Sequence, residues 1–427
     1  MSTGGKIAYI AVTKNGKELA QRLKQLMGQG DIYITSKLAQ KYPSYQRDES
    51  YLGYQGYQGN PRNTRNSGYQ GDSSYPGYQV NSRYARNTRY LGDESQVEGS
   101  DQGQEGHLEA SSELSNEAVY LIEGKLGDFM EQLFVRYDYL ICIMATGIVV
   151  RVIAPYVVSK FKDPAVIVLD ERGENVISLL SGHMGGANEM TRKMSRLLKA
   201  HPVITTATDV NEKAALDCIA KSLDAYIEDF REQVKTVNYG LVNGEKIGLY
   251  IRGDYKVDER GFVRLDTLEQ EVLMRKLSEM DRVIYISHEA ETCISHPHLI
   301  KVVPRRFVLG VGCKKYTQRA HMLEHFNRYM EKHGLDRHSI SKIGSIILKK
   351  DEDAIIGLGE SLEVPFEVFT KEEIAKVEAL FEGSSFVKQS VGVTCVAEPV
   401  AYLLGSGEII LPKEKYEGIT FALGVAR

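Results

Sequence analysis

The chain has 427 residues, of which 42% are hydrophobic, 26% charged and 9% aromatic, with no tryptophan. At about 100–200 residues per domain, that length gives two to four domains with sizeable cores. With 53 Lys and Arg against 57 Asp and Glu, the formal charge is only -4, which argues against a general nucleic-acid or polyanion binder.

The first element is a strand over 6–12, followed by a helix over 15–27 with Leu19, Leu23, Leu26 and Met27 on one face. A second short strand covers 31–35. The composition then breaks: from 41 to 117 the larger apolar residues shrink to Leu52, Val80, Leu91, Val97, Leu108 and Leu114. So little apolar surface cannot offset the entropy of ordering the backbone, and the segment is expected to be disordered. Gly-Tyr-Gln recurs there at Gly53, Gly56, Gly68 and Gly77, and arginines give way to acids after Asp93. It reads as an expanded loop with no role in the chemistry, or as a Tyr/Arg tract for self-association or RNA contact.

Beyond the insert come a strand over 118–122, a helix over 126–134 and a strand over 139–144. The strands 166–169 and 176–180 flank Asp170-Glu-Arg-Gly-Glu174, the pattern of a hairpin. A helix over 188–200, a strand over 203–206 and a helix over 212–223 follow. In the middle region, 239–250 reads as a hairpin turning at Asn243-Gly244, ahead of a helix over 268–280 and a strand over 282–286. Arg305-Arg306 marks a boundary. The last block has a strand over 307–311, helices over 318–333 and 352–358, a strand over 366–369 and a helix over 371–381. A strand-to-helix passage over 391–404 and a closing hairpin over 408–426 complete it.

The fold class is therefore α/β: an N-terminal mostly parallel, helix-covered sheet, a small α+β middle region and a separate C-terminal α/β domain. The expected boundaries are 1–40 with 118–223, the insert 41–117, the middle region 224–304, and 305–427. The five cysteines are widely spaced with no C-x-x-C pair, as in a reducing compartment. The apolar run 139–158 is interrupted by Arg151 and Pro155, and 7–12 is too short for a signal-peptide core. A cytoplasmic protein with no membrane or nucleic-acid partner is expected.

Chemistry concentrates at strand ends. Ser181-Gly-His-Met-Gly-Gly-Ala-Asn188 lies between a strand and an amphipathic helix, where open α/β sheets bind ligands. Its glycines allow close backbone approach, and the N–H groups of the following helix attract anions. His183 is the side chain that could move a proton near neutrality. A glycine-rich turn merely capped by its histidine is the structural alternative. Thr206, Thr208 and Asp209 form a second polar turn, unless Asp209 simply caps a helix with Glu212. Met144-Ala-Thr-Gly147 ahead of Arg151 is a third, and a crevice shared by all three turns is expected. In the last block, Leu309-Gly-Val-Gly-Cys313 with Thr317, and Val391-Gly-Val-Thr-Cys395 with Glu398, could cradle carboxylates. Cys313 reads as a buried thiol rather than a nucleophile. His288, Cys293, His296 and His298 match no standard zinc spacing and read as solvent-facing.

These motifs, in this order, resemble the CbiG family of anaerobic cobalamin biosynthesis, the cobalt-precorrin-5A hydrolases. The residues that carry the resemblance are Met144–Arg151 with Ile153-Ala-Pro155, Asp163-Pro-Ala-Val166, Ser181–Asn188, Ile204–Asp209, Leu309–Cys313 with Thr317, and Val391–Glu398. The resemblance spans nearly everything except 41–117, which departs from the family pattern. It implies a hydrolase that opens the ring-A δ-lactone of a cobalt-corrin precursor and releases acetaldehyde, with no resident cofactor or metal, since the substrate carries the cobalt. In that setting His183 would serve as base or later proton donor, and the N–H groups around Gly185-Gly186 as oxyanion donors, with Asp209 or Glu189 orienting the imidazole. Thr146, Gly147, Arg151, Ser181, Gly182, Gly185, Gly186, Asn188, Thr206, Thr208, Gly310, Gly312, Cys313, Thr317, Thr394 and Glu398 would contact the substrate. A non-catalytic corrinoid carrier is the alternative. A homodimer and transient contact with neighbouring pathway enzymes stay open.

Overall fold

The computed structural model describes residues 5–41 and 119–426, which form two compact units, 1–204 and 205–427. The insert, apart from Lys41, lies outside the described residues, and so does its expected disorder. In the first unit the elements run β1 (Ile7–Ala11), α1 (Lys14–Met27), β2 (Asp31–Thr35), α2 (Ser36–Lys41), β3 (Val119–Ile122), α3 (Leu126–Arg136), β4 (Tyr139–Ile143) and α4 (Thr146–Ile153). They continue with β5 (Ala165–Leu169), β6 (Asn175–Leu180), α5 (Ala187–Leu198) and β7 (His201–Val203).

The seven strands are ordered β3-β2-β1-β4-β5-β6-β7. β1 to β5 are mutually parallel, whereas β6 runs antiparallel to β5. Strands β1, β4 and β5 are apolar at every position because both faces are covered. Leu19, Ala20 and Leu23 of α1 pack with Met190 and Met194 of α5 on one face. On the other, Met130 and Leu133 of α3 join Val149 and Ile153 of α4. The expected helix-covered parallel sheet is therefore present.

The second unit holds two more sheets. After α6 (Ala207–Val210), the middle region has α7 (Leu216–Ser222), β8 (Ala225–Tyr226), α8 (Phe230–Asn243), β9 (Ile247–Ile251), β10 (Val263–Arg264), α9 (Gln270–Ser278), β11 (Arg282–Ile286) and β12 (Leu299–Pro304). Its order is β10-β9-β11-β12-β8. The hairpin expected over 239–250 is absent. Val234, Val237 and Leu241 are buried at helical spacing, and Gly244, at φ 86°, ends α8 as its left-handed cap. The Asn-Gly pair supplies positive φ in either setting; the apolar period before it decides for the helix.

The C-terminal region follows as β13 (Phe307–Cys313), α10 (Arg319–Lys332), β14 (Ile340–Ile346), α11 (Asp353–Leu362), β15 (Phe366–Phe369), α12 (Lys371–Ala375), α13 (Ser385–Val391), α14 (Ala397–Leu404), β16 (Ile409–Tyr416) and β17 (Ile419–Val425). The order β15-β14-β13-β17-β16 combines three parallel strands with the expected closing hairpin. The passage at 391–404 is helix to helix: Gly392, at φ 88°, caps α13 before α14 begins.

The two sheets of this unit are tied by Asp336. Its carboxylate accepts from Lys301 Nζ of β12 at 2.7 Å and from the His338 backbone N–H at 2.9 Å. The His338 ring stacks on Tyr226 of β8, with centroids 3.7 Å apart. Burial alone would raise the Asp336 carboxyl, but His338 and Lys301 outweigh it and hold it at about 2, against an ordinary 3.8. A depressed carboxyl stabilises the fold above its unfolded value, and that contribution fades as pH falls from near 4 towards 2. Asp336→Asn should therefore lower the stability of the second unit by ~2 kcal/mol at pH 7 and by much less near pH 2, measured by urea denaturation across pH.

Candidate functional site

Strand order and direction decide which loops can meet. Leaving β1, the chain moves outward through β2 and β3, then crosses back to place β4 on the other side of β1. The carboxyl ends of β1 and β4 thus flank a topological switch point, where doubly wound sheets open a ligand crevice. A cavity of about 540 Å³ lies there, lined by Val12, Thr13, Met144, Thr146, Asp170 and their neighbours. Thr13 caps α1, its hydroxyl accepting the Gly16 N–H at 3.1 Å. Thr146 opens α4, so two helix N-termini face one crevice. Arg151 is exposed one turn along α4 and donates to the Gly147 carbonyl at 2.8 Å.

Asp170 forms the rim. One carboxylate oxygen accepts from the Arg172 N–H at 2.9 Å and the other from the Asn175 N–H at 2.7 Å. Partial burial pushes its pKa up, but the N–H groups of Asn175, Glu174 and Arg172 outweigh this and keep it below the usual carboxylate range. Asp170 therefore stays ionised and fixes the β5–β6 turn.

That turn reverses the chain, and the reversal corrects the expected shared crevice. Because β6 is antiparallel, with Leu180 opposite Val166 and Val176 opposite Leu169, Ser181–Asn188 emerges at the other edge of the sheet from Thr146, Gly147 and Arg151. The edges are separated by a five-residue strand, about 17 Å. Thr206, Thr208 and Asp209 belong to the second unit, in and beside α6, with Thr208 buried.

Within the Ser181–Asn188 turn, the residues hold one another. Ser181, at φ 57°, donates its hydroxyl to the Asp163 carbonyl at 3.1 Å. Asn188 is 3% exposed and accepts from Ser178 Oγ at 2.6 Å. A Cβ on Gly182 would meet the Asn188 side chain at 2.8 Å, and one on Gly185 would meet Ser181 Cβ at 2.4 Å. The Gly186 N–H donates to the His183 carbonyl, Ala187 to Ser181 and Asn188 to Gly182. Gly186 is thus no oxyanion donor, since the turn itself uses its N–H. Half-buried His183 presents its imidazole from this turn, while Glu189 is exposed on α5.

In the C-terminal region the candidates divide. Gly310 is a packing residue: a Cβ there would lie 1.9 Å from the Ala397 carbonyl oxygen of α14. Thr394 donates both its N–H and its hydroxyl to Glu378. Glu398, 6% exposed, pairs with Lys413 Nζ at 2.9 Å and accepts its backbone N–H at 3.2 Å. These three serve the fold rather than a ligand. Gly312 is open, with Thr420 Cβ 3.8 Å from a built Cβ. Cys313 and Thr317 lie at the end of β13 beside a largely buried Lys349–Glu352 pair, 2.8 Å apart, and the Thr317 N–H donates to Glu352. Burial pushes the Cys313 thiol up, against a nucleophilic role.

His288, Cys293, His296 and His298 do not converge. His288 bonds Tyr255, Cys293 bonds Tyr250, and His296 bonds the Met280 carbonyl. His288 is half-buried rather than solvent-facing, because its ring packs edge-on against Phe307. Sequence reasoning missed Thr13, Lys349 and Glu352. The strand-to-helix turn at Val12–Thr13 was a usable signal for the first; the other two follow only from the pairing of β13 with β14.

Three family models match in chain order: "Cobalamin synthesis G N-terminal" over 128–209, "Cobalamin biosynthesis central region" over 214–301 and "Cobalamin synthesis G C-terminus" over 307–424. A cobalt-precorrin-5A hydrolase of Salmonella typhimurium is 42% identical over 322 residues, covering 74% of this chain and 90% of that protein. One from Priestia megaterium is 30% identical over 321 residues, covering 72% and 83%. No described helix is long and apolar enough to cross a membrane.

Replacing Gly310 separates packing from binding. Gly310→Ala should destabilise the second unit by ~2–3 kcal/mol, because backbone atoms of α14 must move. Chemical denaturation measures this; a ligand-contacting glycine would leave the midpoint unchanged.

Proposed function

The chain belongs to the cobalamin synthesis G family, and we propose that it opens the ring-A δ-lactone of cobalt-precorrin-5A, giving cobalt-precorrin-5B and acetaldehyde. The observation that carries this is the 42% identity to a cobalt-precorrin-5A hydrolase across 90% of that protein's length. The cobalt enters and leaves with the substrate. The spread of unpaired cysteines fits a cytoplasmic setting for such a reaction.

Lactone opening needs a base to take a proton from water as its oxygen attacks the carbonyl carbon. The alkoxide set free collapses to acetaldehyde as its carbon–carbon bond to the macrocycle breaks, and the same group can return that proton to the macrocycle carbon that keeps the electron pair. His183 is our choice for this role. Its support is a half-buried imidazole carried on a tightly packed turn, where a Cβ at Gly182 or Gly185 would collide with Asn188 or Ser181. General base catalysis of this kind contributes about 10²–10⁴-fold.

A second reading is favoured by the cavity at the β1/β4 switch point. There the substrate edge would sit between Thr13 and Thr146, with the N-termini of α1 and α4 facing its carboxylates, and His183 would be a turn residue only. The two readings use opposite edges of one sheet, so substitutions separate them.

The test is anaerobic turnover of cobalt-precorrin-5A with trapping of released acetaldehyde. The first reading expects His183→Ala to lose at least ~100-fold in kcat, while Thr146→Trp, which fills the crevice, stays near wild type. The reverse pattern moves the chemistry to the crevice. Intact turnover in both variants removes both readings.

A further inference from the structure

We propose that the C-terminal region carries a binding site for a divalent transition cation of the zinc class, built from His321, His325 and Glu417. His321 and His325 are four residues apart on α10, so their rings lie over one another on one helix face, with centroids 4.3 Å apart. That spacing presents two imidazoles to one ion. Glu417 comes from the β16–β17 turn, where Tyr416 pairs with Ile419 and only Glu417 and Gly418 form the loop. Both have positive φ, 30° and 95°, as a two-residue hairpin turn requires. The turn thereby holds a carboxylate over the histidine face.

One ligand atom from each of the three residues can be chosen so that all lie within 4.8 Å of one another. His325 Nε2 is 3.9 Å from Glu417 Oε2. Tetrahedral zinc, with bonds of about 2.0–2.1 Å, places its ligand atoms about 3.4 Å apart. Rotating Glu417, whose side chain is 74% exposed, would shorten its distances to the imidazoles, and the His321 ring, now 3.5 Å from the Glu417 carbonyl oxygen, would have to turn towards the ion.

His325 is 3% exposed, and its Nδ1 has no hydrogen-bond partner. The nitrogen that faces Glu417 is Nε2, which leaves Nδ1 on the other side of the ring, so the site rests on the convergence of the three side chains. Two imidazoles and one carboxylate suit zinc-class ions better than calcium or magnesium, which prefer all-oxygen sites. Three protein ligands leave a fourth position for water or an anionic group, on the solvent side where Glu417 lies.

The experiment titrates the metal-free full-length protein with ZnCl₂ by calorimetry and with CoCl₂ by visible absorption. One equivalent should bind, with cobalt giving the intense bands of a tetrahedral site. His321→Ala and Glu417→Gln, both away from the buried core, should fold normally by circular dichroism, bind at least ~10-fold more weakly and lose the cobalt bands. His298→Ala, on an exposed loop of the middle region, should bind as wild type. Wild type taking up neither metal, or His321→Ala and Glu417→Gln binding as tightly as wild type, would overturn the site.

Discussion

The first unit turns on one carboxylate. Asp170 gathers the backbone N–H groups of Arg172, Glu174 and Asn175, and in doing so sends β6 back against β5. Had the chain crossed over to make β6 parallel, the Ser181–Asn188 turn would have joined Thr13 and Thr146 at the carboxyl edge. The reversal instead sends the glycine-rich turn to one edge and leaves the switch-point crevice at the other. A hairpin that looks like connective structure therefore decides which polar groups can act on the same molecule.

The same distinction between looking functional and being free to function runs through the polar and glycine-rich motifs. Glycine clusters at strand ends for two physical reasons: a ligand must approach the backbone, or another part of the chain must. Gly310 belongs to the second kind, since the α14 carbonyl of Ala397 occupies the space a side chain would need. Thr394 and Glu398 are likewise committed, their polar atoms bonded to Glu378 and Lys413. His325 is the opposite case: it is buried with one ring nitrogen left over, four residues after His321 on the same helix.

Much of the architecture was legible from local pattern. Strands at Arg282–Ile286 and Phe366–Phe369 and the long helix Arg319–Lys332 follow directly from apolar period and length. The Asp170 hairpin is legible in the sequence too, and a hairpin reverses the strand that follows it. The crevice required knowing that β1 lies beside β4, a pairing between residues more than 130 positions apart. No local signal encodes strand order. Asn243-Gly244 misled for a related reason, because a positive φ is demanded by a hairpin turn and a helix cap alike.

Charge sets a further limit on how a polycarboxylate substrate could use the crevice. Each helix N-terminus is worth roughly 0.3–1 kcal/mol towards an exposed anion. Against the ends of α1 and α4 stands the ionised Asp170 on the same rim, with Glu171 beside it. Four hydrogen bonds draw down the Asp170 field without cancelling its charge. The lining is thus slightly acidic rather than cationic, and its walls, with Val12, Ile143, Met144, Val168 and Ile177, are apolar. Such a surface favours the hydrocarbon edge of a macrocycle over its carboxylates. Lys14 and Arg172 adjoin the lining residues Thr13 and Glu171 in sequence, and Arg151 lies exposed one turn along α4. A carboxylate bound on this edge would need one of these three cations, because the helix ends alone do not outweigh the acids they face.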